Sequence, residues 1–450
     1  MSRVAWFSPM PPLATGIARY SADLVSALGT EHAIDVYVDQ LNLAGLTPID
    51  GARTAGSAHD FVWRHRERPY DLVVYQLGNA SLHDYQWPYL FRYPGLVVLH
   101  DAHLHHARAA CLLRTFRADD YRAEFSSNHP DAGADLAELA VAGFDSYLHY
   151  AWPMTRLVVR SARMVAVHSP FVAERLRDEN PEARIEVVRI AHGTRLTDVT
   201  AGVLGAKARI QHQIPADATV FGCFGGLTPD KRIDRVIAAF AAVRPGIPNA
   251  HLLLAGSLPA DTDTRAAIAQ HGLSDCVTIT GYLPTDDAFT ACIAAADVAL
   301  CLRWPTAREV SGPWLRCLAA GKPTVTIDLA HLADVPSLDP RTWLPRHADG
   351  RRPCTVAIDI LDEDHSLRLA LRHLGTDREL RAHIGKAAGE YWSANHHPDA
   401  MAADYVRVMA EAMQHAPRPQ PLPEHLVDTA DATLRRVLEP FGVPLPFALR

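Results

Sequence analysis

The stretch ATVFGCFGGLTPDKRIDRVIAAFAAV, residues 218–243, decides how this chain is to be folded. It opens as a short apolar run of strand character, breaks at Gly225 and Gly226, and ends in a helical pattern. Thr228 has the chemistry of an N-cap, Pro229 is preset for a first helical position and Asp230 suits a first turn, so the sequence starts the helix here. Lys231 and Arg232 then stand at the end of the helix dipole that disfavours cations. A strand, two glycines that admit close backbone approach, a helix N-terminus and Lys/Arg together make an apparatus for holding phosphate. The same residues also read as a capped surface helix whose cations face water.

The strand-and-helix pattern extends in both directions. VAWFSP, IDVYVD, DLVVYQLG, GLVVLHD, RMVAVHS and IEVVRIAHG are short apolar runs within the first 195 residues. TVFGCFGG, AHLLLAGS, CVTITGYL, VALCLR, PTVTID and CTVAID form a second series between 218 and 360, separated by helical segments such as 230–244 and 311–320. Continuous apolar runs are strands covered on both faces, hence parallel sheets. Two such series predict an α/β chain of two doubly wound, Rossmann-like domains. Ligands of these sheets bind beyond the carboxyl ends of the strands, so two domains facing one another would form a cleft. TRLTDVTAGVLGA, residues 194–206, has little periodicity and several small residues, and is taken as the boundary. The expected division is 1–195, 206–395 and a set of C-terminal helices over 396–450, the first of them packing back on the N-terminal domain. HAPRPQPLPEH, residues 415–425, reads as a stiff connector to a last amphipathic piece, LVDTADATLRRVLEPF.

Composition narrows the function classes. A chain of 450 residues exceeds one ordinary core. No run approaches the ~18 apolar residues of a membrane span. MSRVAWFSPM has neither the apolar core nor the cleavage site of a secretory signal, so a cytoplasmic location is expected. Seven cysteines, never in a CxxC pair, suit a reducing compartment and no zinc-finger spacing. A net charge of −7 argues against nucleic-acid binding, and an anionic ligand must be held by a local site. Without a long basic amphipathic helix, membrane contact is at most peripheral.

Three further stretches could carry chemistry. In VAWFSPMPPLATGIARYSADLVSAL, Gly16 opens a helix with apolar positions at Ile17, Tyr20, Leu24 and Leu28; it either admits a diphosphate to a backbone amide or is a turn residue. No GxGxxG follows a strand, which places a nicotinamide oxidoreductase low among the readings. LHDAHLHH, residues 99–106, puts His100 and Asp101 at a strand's carboxyl end, where imidazole and carboxylate tune one another. His103, His105 and His106 do not face one way and no cysteine or paired carboxylate completes a tetrahedral set, so no metal is expected. LRWPTAREVSGPWLRCLAAGKPTVTID, residues 302–328, carries a helix capped by Ser311 and ended by Gly321. Glu309 precedes that helix and either reaches a ligand or caps its own helix; Arg303 beside Trp304 is a phosphate clamp or a surface cation.

Taken in order, FGGLTPDKRIDRVIAAF, HLLLAGS, VTITGYLPTDDAFTACIAAADVALCLR and EVSG…LAAGKPTV resemble the donor-binding domain of retaining GT-B glycosyltransferases of the glycogen-synthase-like and mannosyltransferase group, family 4-like. SPMPPLATGIARYS, VVYQLGN, VVLHDAHLHH and VAVHSPF resemble their acceptor domain, and the likeness spans about residues 3–410. It implies the GT-B fold and transfer of a hexose from a UDP- or GDP-sugar, with retention, to a glycan, lipid-linked sugar or small-molecule acceptor. The nucleotide sugar would be a co-substrate, with no cofactor or essential metal. By the resemblance Lys231, beside Gly225 and Gly226, contacts the diphosphate; Gly16 supports it from the facing domain. Glu309 with the amides of Ser311 and Gly312 holds the sugar, and His100, next to Asp101, lies near its reactive face. With no convincing carboxylate nucleophile, front-face attack by the acceptor hydroxyl is expected, and residues 108–150 are the acceptor wall. Two positions depart from the family. Gly226 stands where an Arg is usual, leaving Arg232, Arg303 or Arg316 to supply the second charge. Arg316 stands where a ribose-binding Glu is usual. A non-catalytic sugar-nucleotide or carbohydrate binder and a GT-B epimerase remain the alternatives.

Overall fold

The computed structural model describes residues 1–13, 15–39, 45–46, 48–144, 147–247, 249–260, 263–427 and 437–442. The apolar runs become two sheets of seven strands each. In the first, β1 (Ser2–Phe7), β2 (His32–Val38), β3 (Ala52–Ser57), β4 (Leu72–Leu77), β5 (Leu96–Leu99), β6 (Met164–Val167) and β7 (Ile185–Val187) lie in the order β3-β2-β1-β4-β5-β6-β7. In the second, β8 (Thr219–Phe224), β9 (Ala250–Ala255), β10 (Val277–Ile279), β11 (Val298–Leu300), β12 (Thr324–Ile327), β13 (Ser337–Leu338) and β14 (Thr355–Ile358) lie in the order β10-β9-β8-β11-β12-β14-β13. All the ladders of the second sheet are parallel. Each sheet winds outward in both directions from its first strand, so a topological switch point lies between β1 and β4 and another between β8 and β11.

Period-two alternation distributes β8 to two cores. Phe221 and Cys223 pack with Val236, Phe240 and Leu371, whereas Val220 and Phe224 pack with Leu253, Cys292 and Ile293. Leu252 and Leu253 are fully buried on opposite faces, and truncating either to Ala would cost about 2–5 kcal/mol.

Met1–Val167, Ala173–Glu186 and Arg407–Arg450 form one compact unit; His168–Val172 and Val187–Val406 form the other. In the first, the Pro-rich segment is tied by Gln420 Nε2, which donates to the Leu157 carbonyl at 2.9 Å. His425 Nε2 lies 2.8 Å from Glu124 Oε1, and Glu124 is also paired to Arg108. Residues 428–436 of the last amphipathic piece lie outside the described residues. No described helix is long and apolar enough to cross a membrane.

The structure differs from the sequence reading in three respects. β3 and β13 were not expected: β3, ARTAGS, is a half-exposed edge without an apolar run, and β13 has two residues. Residues 194–206, read as unpatterned, lead into the helix Asp198–Gln211, capped by Thr197 Oγ1 accepting from Thr200 N–H at 3.1 Å. Its small residues serve packing, since a Cβ on Gly205 would lie 2.8 Å from the Ala294 carbonyl oxygen. The third difference, the helix start after β8, belongs to the site.

Candidate functional site

The switch point of the second sheet is built from the loops after β8 and β11. Gly225 follows β8 with φ 89° and donates its N–H to the Ala255 carbonyl at 3.0 Å. A Cβ there would stand 2.8 Å from Lys231 Nζ and 3.3 Å from Pro313 Cγ. Gly256, after β9, has φ 155°, and a Cβ on it would stand 1.8 Å from the Gly225 oxygen. These two glycines admit the crossing of the loops; Gly226 is exposed, with open space where a side chain would be.

Residues 229–231 form a 3₁₀ turn, and the α-helix begins only at Ile233. The expected start at Thr228 is thereby corrected. Thr228 makes no side-chain cap bond, and Arg232 takes a left-handed conformation, φ 59°. Two side-chain pulls explain this. Lys231 Nζ folds back to donate to the Phe224 carbonyl, and the Arg232 guanidinium makes a bidentate pair with Glu363, Nε to Oε1 being 2.8 Å. Burial, and then the neighbouring Arg303 guanidinium, push the Lys231 ammonium down to about 8.

Arg303 follows β11. Its Nη1 lies 2.5 Å from Glu309 Oε1 and its Nε 3.6 Å from Asp230 Oδ2. Asp230 also accepts, through its carbonyl, the Trp304 N–H at 2.7 Å, which stitches the β8 and β11 loops together. The Glu309 side chain is 10% exposed: Oε2 accepts from Thr306 Oγ1 at 3.0 Å, while Oε1 accepts no hydrogen bond despite the close guanidinium. Ser311 Oγ accepts from Trp314 N–H at 3.4 Å and starts the helix Gly312–Ala319, as the sequence indicates.

Two cavities open here. One, with an enclosed volume of only about 10 Å³, is lined by Phe224, Lys231, Arg303, Ser311 and Pro313. The other, about 20 Å³, is lined by Arg303, Thr306, Glu309, Ser311, Trp314 and His331. Arg303, Ser311 and Cys301 line both. The structure thus brings Lys231, Arg303, Glu309 and Ser311 together, with Gly225 in the loop after β8 and Gly312 at the first helical position beside them. Arg232 and Arg316 line neither cavity. Arg316 Nη1 donates to Asp286 Oδ1 at 3.0 Å and Nη2 to Thr290 Oγ1 at 3.1 Å, and its guanidinium lies 4.4 Å over Phe289. Sequence reasoning missed His331, whose position just beyond the carboxyl end of β12 was the available signal. Burial lowers its pKa, and the Glu309 carboxylate opposes that shift.

The first unit gathers its candidates at its own switch point. His100 Nε2 lies 2.8 Å from Gln76 Oε1, and its ring meets Tyr20 edge-on at 4.9 Å. Asp101 Oδ2 accepts the Asn79 N–H at 2.6 Å. Gly78 keeps the centre open, since a Cβ there would meet Ile17 Cδ1 at 2.7 Å and Asp101 Oδ2 at 3.1 Å. Gly16 is exposed at the start of a helix capped by Thr15 Oγ1, which accepts from Ala18 N–H at 3.1 Å. His105 is spent on the fold, with Nδ1 2.7 Å from the Trp152 carbonyl and Nε2 2.7 Å from Tyr121 OH. Among the described residues no three His, Cys, Asp or Glu converge as a metal site.

Residues 218–342 match the family described as Glycosyl transferases group 1. No curated protein sequence matches the chain. Among solved structures it is similar to sucrose-phosphate synthase from Thermosynechococcus elongatus, with 17% identity and TM-score 0.62 over 91% of this chain and 99% of that one. It is also similar to Anabaena HepE in complex with UDP and glucose, with 15% identity and TM-score 0.60 over 91% and 100%. The catalytic domain of starch synthase IV from Arabidopsis thaliana, bound to ADP and acarbose, gives 12% and 0.60 over 92% and 100%. At these identities the likeness carries the fold, two Rossmann-like units of the GT-B kind. The family match lies within the second of these units.

Proposed function

We propose that the chain transfers a hexose from a nucleoside-diphosphate sugar, a UDP- or GDP-sugar, to an acceptor hydroxyl with retention and without a metal. The observation that carries this reading is the pair of cavities joined at Arg303. On one side Lys231, Arg303 and the amides opening the helix Gly312–Ala319 suit a diphosphate. On the other, Glu309 Oε1, held against the Arg303 guanidinium without a hydrogen bond, is an acceptor that sugar hydroxyls could take up. The positive groups would stabilise the departing diphosphate as charge develops on it. Among the described residues Glu309 is the only carboxylate lining the sugar-side cavity, and it is engaged by Thr306 and Arg303, which favours front-face attack over a covalent intermediate. His100, Asp101 and Gly16 are the first unit's candidates for the same reaction. Arg303 takes the place of the second cation, because Arg232 and Arg316 are committed to Glu363 and Asp286. Glycan, lipid-linked and small-molecule acceptors all remain within the reading, and the cytoplasm is its setting.

Melting curves with UDP-, GDP-, ADP- and TDP-glucose, together with donor hydrolysis, test it. One donor should raise the melting temperature. Lys231→Ala should weaken that donor by about 10²-fold, as expected for charge-assisted hydrogen bonds. Glu309→Ala should abolish slow sugar release. One observation favours a second reading, a carbohydrate binder without a nucleotide. The Arg316 guanidinium, where the resemblance expects a ribose-binding carboxylate, is occupied by Asp286 and Thr290. Absence of any shift across the four nucleotides, with a shift from a free glycan, would establish it.

A further inference from the structure

Arg303 is both a residue common to the two cavities, with Cys301 and Ser311, and the partner of Glu309. We propose that Arg303 is a latch that links diphosphate recognition to the release of Glu309 for the sugar; this rests on the donor reading above. Nη1 is held 2.5 Å from Glu309 Oε1 and Nε is held 3.6 Å from Asp230 Oδ2. The Asp230 contact lies at the root of the guanidinium, so the head turns about it from one cavity to the other while Nε stays anchored. A diphosphate draws the head away from Glu309, because it carries more charge than one carboxylate and matches the guanidinium fork. Lys231 strengthens the pull, being a second cation on the wall of the same cavity.

Turning the head strips Glu309 Oε1 of its counter-charge. Thr306 Oγ1 remains on Oε2 at 3.0 Å, and a carboxylate buried with only that partner is costly. Sugar hydroxyls donating to Oε1 remove the cost. A nucleoside diphosphate alone therefore opens the latch against resistance, and the complete nucleotide sugar opens it without. Arg303 is in this sense a positioning residue for Glu309, in addition to its direct contact with the diphosphate.

The test is calorimetric binding of UDP, with GDP and ADP run alongside, to the full chain. Glu309→Gln removes the competing charge and should bind the nucleoside diphosphate about tenfold more tightly than the wild type, the scale of one hydrogen bond to a charged group. The double variant Glu309→Gln/Arg303→Ala should lose that gain, as a coupled pair requires. Glu309→Asp, which withdraws the carboxylate while keeping its charge, should also bind the diphosphate more tightly and serves if the Gln variant does not fold. A purely structural Glu309 would weaken binding or leave it unchanged in these variants. Wild-type binding with no gain in either variant overturns the latch and leaves the donor reading standing. Failure of the folded wild type to bind any of the three nucleotides overturns both.

Discussion

Lys231 combines two demands that oppose one another: it must be charged to hold an anion, and it sits where burial and Arg303 disfavour charge. With its pKa down to about 8 in the free protein, a bound diphosphate raises it again, so binding takes up a proton above that pH. Affinity for UDP is then full below pH 8 and falls as pH rises past it, approaching tenfold per unit. Titration calorimetry from pH 7 to 9.5 measures this. Lys231→Arg should flatten the profile, because a guanidinium stays charged throughout that range. A flat wild-type profile would place the anion away from Lys231. At this scale the sequence was legible where a residue's neighbours along the chain define its role, as for Ser311 capping its own helix. It was silent on which arginine serves the site. Arg232 and Arg316 are claimed by Glu363 and Asp286, 131 and 30 residues away, and a long side chain's choice among carboxylates is a tertiary matter.

At the scale of the element, the crossing of the β8 and β9 loops rests on two glycines rather than on side-chain contacts. Gly256→Ala would drive a Cβ into the Gly225 oxygen 1.8 Å away, at a backbone angle that L-residues avoid. We expect a loss of roughly 2–4 kcal/mol and, with Gly225 displaced, a weakened response to the nucleotide. Gly226→Ala, in open space, should leave both melting temperature and nucleotide response within error of the wild type. Thermal melts with and without UDP compare the two, and equal behaviour of both variants would show that the loop relaxes around the added methyl. Helices with long apolar periods and strands with continuous apolar runs were readable from the chain. The helix Asp198–Gln211 was not, because an apolar stripe marks a helix only where it meets large neighbours. Here Gly205 lies against the backbone of Ala294 instead. Nor could the local pattern foresee that Arg232 would break the turn after Thr228, since its cause is Glu363.

The whole molecule repeats one solution, a doubly wound parallel sheet, and the recurrence of apolar runs along the chain makes that architecture legible in the sequence. What the chain buries inside these cores besides hydrophobes is less legible: residue type does not say whether a histidine is inside. His83 and His105 in the first unit and His251 in the second are at most 5% exposed. Burial pushes His83 and His251 down to about 4 and His105 to about 3. Each ring is held by neutral partners that the single N–H of an uncharged imidazole can satisfy: the Gln76 carbonyl, Tyr121 OH with the Trp152 carbonyl, and Thr278 Oγ1. Unfolded rings take protons near pH 6.5, whereas folded ones wait until about 4 or below. Between those values the unfolded state binds more protons, and stability falls as pH falls. A shift of one unit at each of three rings already amounts to about 4 kcal/mol. The apparent melting temperature should therefore drop by several degrees from pH 7 to pH 5 at fixed ionic strength, and if the units melt separately both transitions should move. Carboxylates with lowered pKa, such as Asp35 and Glu124, give up their contribution only at lower pH, so the loss in this window belongs to the histidines. A melting temperature unchanged down to pH 5 would mean that these rings accept protons inside the fold and that the cores around them admit water.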